Sequence, residues 1–438
     1  MYNTSTTSMT LYDAQFEQFK TDEDKLRAIY CQQDDRPDKE NPVYGLIKLD
    51  NQVQEILRQK AIKALKSNLV RAGQHLVPSK EILQLSIDEL TKAKDVKTIP
   101  WFYEFVNELP EDLSRHICIA GGSPLNMILS GYHADPGRAI HRDVDVFIVG
   151  PEDPIDVTKQ LFAHIEETPD LDISSALRTL HCVGLNLCKD MEDKLEVQII
   201  LRNCLSPSEV VTGFELDASG VCYYQGSFYC TPRAYFAIEN MTQRVDVDRI
   251  STAYEYRLAK YSQRGFAVQI PSRYDLSQVQ IPDKLTDRDK LTDQEEFMTY
   301  SPLVRLIYMM KNAGYGKVSD YVNQPLFSIE LTHGNYKIYL LKGRDEPFYE
   351  KIIGYYVNPV DHCVMTEIPD LIWELPDAIK INDSQLTRQA YFETVSYTVN
   401  NDTTSADLCR WSFHRKNIDW PEWTGLQESS SRSHCAIN

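Results

Sequence analysis

The stretch IAGGSPLNMILSGYHADPGRAIHRDVDVFIVG, residues 119–150, decides how this chain is read. It sets an apolar strand against a Gly-Gly-Ser turn and then delivers two aspartates inside a second apolar strand. Asp143 and Asp145 are separated by one residue, so in a strand both leave the same face while Val144 and Val146 enter the core. Two carboxylates held that close repel each other, and left unbalanced they either take up a proton or weaken the fold. A divalent cation removes the conflict: hard oxygen ligands on one rigid strand suit Mg²⁺ (or Mn²⁺), which keeps waters and takes substrate phosphates. Gly121, Gly122 and Ser123 then acquire a purpose. A strand that turns through glycines into a helix start offers backbone N–H groups and a hydroxyl to an anion, the polarity a nucleoside triphosphate (NTP) requires.

Phosphoryl transfer with two metals about 4 Å apart takes a third carboxylate from a neighbouring strand. In KLEVQIILR, residues 194–202, Glu196 and Gln198 share a face, and Glu196 is the first choice. Two rivals lie in GFELDAS, residues 213–219, where Glu215 and Asp217 read as sharing another strand face.

Outward from this centre, strands alternate with helices. HICIAGG reads as a buried strand and SPLNMILSG as a short helix with Ser123 as cap and Pro124 in its first turn. DPIDVTKQLFAHIEE is a helix, and LHCVGLNLCKDMEDKLEVQIILR reads as two strands joined in a hairpin. SPSEVVTG and TPRAYFAIEN both open as Pro-started helices. The first hundred residues read as helical. Val53, Leu57, Ala61, Ala64 and Leu65 form an apolar stripe, and Ser86 with Glu89 has the spacing of a capping box opening a further helix. After a helix that ends at Gly265 comes a proline-bearing charged stretch, residues 268–290, with the composition of a linker. A last helix and the hairpin-like FSIELTHGNYKIYLL follow, and the serine-rich end reads as disordered.

Composition narrows the classes. A chain of 438 residues with 42% hydrophobic and 25% charged residues is globular and large enough for two or three domains. No apolar run approaches the roughly 18 residues that cross a bilayer, and the start lacks a secretory layout, so no membrane span is expected. Ten cysteines without a CxxC pair, and histidines without metal-binding spacing, argue against zinc and for a reducing, cytoplasmic setting. A net charge of −18 disfavours a protein that coats long nucleic acid. One basic stripe stands out: Arg257, Lys260 and Arg264, beside Tyr254 and Tyr261, have the spacing of one helical face. Such a face can lend cations to a triphosphate, and a solvated amphipathic surface explains it equally well. His141 and Arg142 read as solvating the loop before the aspartates, and Trp411, Trp420 and Trp423 as aromatic core. The last four residues fit the outline of a prenylation signal, but Asn438 and the lack of a polybasic run speak against it.

The Gly-Gly-Ser turn, short helix and Asp-x-Asp strand together resemble the nucleotidyltransferase superfamily typified by DNA polymerase β and poly(A) polymerases, over about residues 116 to 203. Residues 196 to 266 also look like uncharacterised superfamily members from protists, fungi and large DNA viruses. The resemblance implies that Gly121, Gly122 and Ser123 grip the triphosphate, helped by Arg257 and Lys260. It also implies that Asp143 and Asp145 ligate two Mg²⁺ ions and that Glu196 serves the metal activating the acceptor hydroxyl. The third acid in that superfamily is commonly aspartate, where this chain has Glu196. The expected fold is α+β: a helical N-terminal region (1–115), a nucleotidyltransferase-type mixed sheet with flanking helices (116–270), a mixed, β-containing C-terminal domain (271–425) and a tail (426–438). The expected reaction moves a nucleoside monophosphate from an NTP to an acceptor hydroxyl, with release of pyrophosphate. RNA 3′ ends, a nucleotide, a metabolite or a protein all fit as acceptor. The alternative is an inactive nucleotidyltransferase fold serving as a binding or assembly module.

Overall fold

The computed structural model describes residues 11–30, 36–69, 75–92, 101–129, 143–150, 154–178, 182–189, 193–246, 254–270 and 301–311, with the backbone of five strands between 328 and 366. His141, Arg142, the three C-terminal tryptophans, most of the expected linker and the tail lie outside them.

The architecture is α+β, built on a mixed sheet. Its central strands are β3 (Ile117–Ala120), β4 (Asp143–Val149), β5 (Leu171–Arg178), β6 (Cys182–Lys189), β7 (Asp193–Cys204), β8 (Val221–Tyr224) and β9 (Ser227–Cys230). With β1 (Ile47–Leu49) they form eight strands in the order β1-β9-β8-β3-β4-β7-β6-β5. β12 (Ser328–His333), β13 (Tyr336–Leu341) and β16 (Val364–Thr366) extend the same sheet beyond β5 in the order β16-β13-β12. β4 and β7 run parallel, while β6 and β7 form the expected hairpin, paired from Cys182↔Ile200 to Lys189↔Asp193.

β3 reads as an unbroken apolar run because both its faces are covered. Ile117 and Ile119 enter the main core, whereas Cys118 and Ala120 enter a smaller one with Cys204, Val210, Val211 and Cys222. On β4, Val144, Val146 and Ile148 point into the main core, so Asp143, Asp145 and Phe147 stand on the opposite face. Cys118, Cys188, Cys204, Cys222 and Cys230 are buried and form no disulfide, packing as small hydrophobes.

The helices close the main core. α2 (Asn51–Asn68) is capped by Asp50 and buries Leu57, Ala61 and Leu65 of the expected stripe. α3 (Lys80–Lys92), α4 (Trp101–Glu108), α6 (Gly122–Leu129) and α7 (Pro154–Glu167) contribute further apolar faces. Ser86 does not open a helix: it lies buried in the middle of α3, donating to Ile82 O at 2.8 Å, and Ser79 caps instead. The capping-box pattern misled because a buried serine can return its hydroxyl to the preceding turn. The Ser-Pro-x-Glu opening is realised in α8 (Pro207–Thr212). There Ser206 Oγ accepts from Glu209 N, and Glu209 accepts from Leu205 N while pairing with Arg36. Thr231 caps α9 (Pro232–Asn240) in the same manner.

The N-terminal region is helical and also supplies two short strands. β1 pairs with β9, and β2 (His75–Leu76) joins β10 (Thr242–Arg244) and β11 (Ala267–Gln269) in a separate three-stranded sheet. β11 includes the start of the expected linker. α1 (Leu11–Tyr30) lies on α8 and α9, and α11 (Pro302–Lys311) lies on α10 (Tyr254–Ser262), tied by Arg305 to the buried Glu255 at 2.6 Å. No helix among the described residues is long and apolar enough to cross a membrane.

Candidate functional site

The pairing of β4 with β7 brings the acids together. Asp143 lies opposite Glu196 and Asp145 opposite Gln198, so all three carboxylates occupy one patch of the sheet. Burial and the charges of Asp143 and Glu196 push the Asp145 carboxyl up to about 7, against the pull of Lys260 and Arg264. The fold tolerates this because the inward face of the strand buries Val144, Val146 and Ile148 at about 1.5–3 kcal/mol each. Asp143 Oδ2 is 3.4 Å from Lys260 Nζ, and Glu196 Oε1 accepts from Gln198 Nε2 at 3.1 Å. Among the described residues no three Asp, Glu, His or Cys side chains converge on one ion position. The donor chemistry nevertheless fits a hard cation: three carboxylates with an excess of negative charge and no soft ligand beside them.

The Gly-Gly-Ser turn closes directly on this patch. Gly121 has φ +88, and a Cβ there would sit 3.7 Å from Asp145 Oδ2 and 3.9 Å from Phe214 Cε2. A Cβ on Gly122 would meet the Arg264 guanidinium at 3.0 Å. α6 begins at Gly122, one residue before the expected cap, and Ser123 Oγ instead shares a 2.9 Å hydrogen bond with Tyr103. Gly121→Ala is expected to cost about 1–2 kcal/mol from the left-handed backbone alone. Chemical denaturation checks this, and a cost near zero would mean that the turn relaxes away from the strand.

The basic stripe divides among three roles. Lys260 sits over Asp143. Arg257 forms an ion pair with Glu215. Arg264 lies beyond the end of α10, buried at the start of α6 with its guanidinium 4.3 Å from the Tyr261 ring centroid; desolvation lowers its pKa.

The stretch that carries the two rivals for third carboxylate is not the expected strand: residues 214–219 are a bend and a short 3-10 turn. Asp217 is buried against Arg233 at 2.8 Å and accepts from Arg244 N at 2.7 Å, and Glu215 is held by Arg257. Two further residues border the site. Tyr103 arrives from α4, and Phe214 stacks edge-on against Phe147 with ring centroids 5.6 Å apart. Tyr103 sits in an apolar run that reads simply as core, and Phe214 in the alternating GFELD that reads as a strand, so local sequence carried no signal that either borders the site.

No family model matches the chain. An uncharacterised protein of Acanthamoeba polyphaga mimivirus is 26% identical over 276 residues, and the match spans 59% of this chain and 59% of the relative's length. Among solved structures, the complex of a CCA-adding enzyme with CTP is similar at 11% identity over 58% of each chain, with a TM-score of 0.28.

Proposed function

We propose that this chain is a metal-dependent nucleotidyltransferase that moves a nucleoside monophosphate from an NTP to an acceptor hydroxyl. The observation that carries the reading is the register of Asp143 and Asp145 with Glu196 on two parallel strands, pressed against a glycine turn that starts a helix. Asp143, Asp145 and Glu196 would hold Mg²⁺ or Mn²⁺, which when bound neutralises phosphate charge and lowers the acceptor's pKa. Gly121 and Gly122, having no Cβ, leave room at the corner for Asp145 and the Arg264 guanidinium, and Ser123 would offer its hydroxyl to phosphate oxygens there. Lys260, 3.4 Å from Asp143, is placed to exchange that carboxylate for a phosphate oxygen. Glu196, the most exposed of the three acids, accepts the proton of the acceptor hydroxyl. The acceptor oxygen bonds to the α-phosphorus, the bond from that phosphorus to the bridging oxygen breaks, and pyrophosphate leaves.

The contact between Lys260 and Asp143 favours a second reading, in which an internal cation balances the acids permanently and the fold serves as a binding module. Incubation with each α-labelled NTP, Mg²⁺ or Mn²⁺, and a mixed pool of RNA and protein acceptors separates the two. Label on a defined species, lost in Asp143→Ala, supports the enzyme. Absence of label, together with no thermal stabilisation by metal and NTP, leaves the module.

A further inference from the structure

Tyr103 reaches the glycine corner from outside the strands that carry the acids. Its ring is fully buried, 4.8 Å from Tyr223 and 6.2 Å from Phe228 between centroids, so the phenol has one available direction. That direction leads to Ser123 Oγ at 2.9 Å. Burial pushes the phenol's pKa up, so the group keeps its proton, and it lies close enough to feel the charge of Asp145.

A serine hydroxyl carries one proton and two lone pairs, whereas phosphate oxygens only accept. If Ser123 donates to a phosphate, its oxygen must accept from Tyr103. Either hydroxyl can donate in the free chain, and packing already holds the phenol where it can donate once Ser123 turns to a phosphate, which is the condition for pre-organised recognition.

We propose that Tyr103 is a positioning residue whose phenol donates to Ser123 Oγ and aims the Ser123 hydroxyl at the triphosphate. This rests on the nucleotidyltransferase reading and extends the site to the N-terminal helical region. The interaction reads out in phosphate affinity, separately from any role of the same hydrogen bond in holding α4 to α6.

The test uses the full chain as wild type, Tyr103→Phe, Ser123→Ala and the double variant. Each is titrated with inorganic tripolyphosphate in Mg²⁺ and melted without ligand. Phenylalanine preserves the ring packing, so Tyr103→Phe should melt like the wild type but bind tripolyphosphate about fivefold more weakly, the usual scale of one hydrogen bond. Ser123→Ala should lose at least as much, and the double variant no more than Ser123→Ala alone. In turnover, KM for the NTP should rise in Tyr103→Phe with kcat unchanged.

Wild-type affinity in Tyr103→Phe beside a weakened Ser123→Ala, or strictly additive losses, overturns the inference and leaves the nucleotidyltransferase reading standing. Failure of Tyr103→Phe to fold assigns the hydroxyl to structure alone and overturns it too. A wild type that binds neither tripolyphosphate nor any NTP brings down both.

Discussion

Replacing Asp145 with asparagine is expected to make the metal-free chain more stable at pH 8 while removing nucleotidyl transfer. The Asp145 carboxyl is raised in the fold from 3.8 to about 7, first by burial and then by Asp143. Between those two pH values the unfolded chain has released this proton while the folded chain still holds it. Stability therefore falls as pH rises through that window, and the penalty persists above it. Below 3.8 both states are protonated and the penalty vanishes. Asparagine keeps the shape without the charge, so the variant should be more stable than the wild type at pH 8 by on the order of a few kcal/mol, with the gain closing toward pH 4. Metal and NTP should reverse the ranking, stabilising the wild type and not the variant. Transfer should fall on the order of 10²–10³-fold or more, the scale on which losing one pre-organised electrostatic group acts. Melting curves across pH check the first half. If the variant is no more stable at pH 8, the acids are not in mutual repulsion and the argument for a cation loses its footing.

The acid pair was legible because strand periodicity is a local property: Val144 and Val146 are buried, and their neighbours must face the other way. The hairpin was equally local and made Glu196 the first choice among three acids, but the parallel pairing that sets it opposite Asp143 joins residues about fifty apart and came only with the fold. Other features depended on partners distant in sequence. The alternation in GFELD imitates a strand, yet Gly213 ends α8 and Asp217 turns inward to meet an arginine sixteen residues on. Arg257 and Lys260 share one helix, but only the fold shows that the first is taken by Glu215 and the second reaches Asp143. Tyr103 sits in the run WFYEFV, where nothing distinguishes a core aromatic from one whose hydroxyl meets the site.

Arg233→Met is expected to be the most destabilising single change among the described residues outside the acid patch, and to disturb that patch from a distance. The Arg233 side chain is buried between Glu23 of α1, at 2.5 Å, and Asp217, at 2.8 Å. It also donates to the carbonyls of Phe214 at 2.8 Å and Glu215 at 3.3 Å, while Arg27 of α1 donates to Thr212 O and again to Phe214 O. Two guanidiniums, from α9 and α1, thus satisfy the backbone of one bend. Removing Arg233 strands two buried carboxylates and costs about 3–5 kcal/mol, far more than the pair adds relative to an apolar replacement. It follows that Arg233→Met combined with Glu23→Gln and Asp217→Asn should recover much of the loss, because no unpaired charge then remains. The bend carries Phe214 against Gly121 and Glu215 against Arg257, so the single variant should also weaken tripolyphosphate binding, which none of its own atoms touches. Urea unfolding of the single and triple variants separates these effects. A cost below about 1 kcal/mol for Arg233→Met would place the carboxylates in water rather than in the core. Stability restored in the triple variant without restored binding would show that the bend itself, and not the charge balance beneath it, shapes the corner where the glycines meet Asp145.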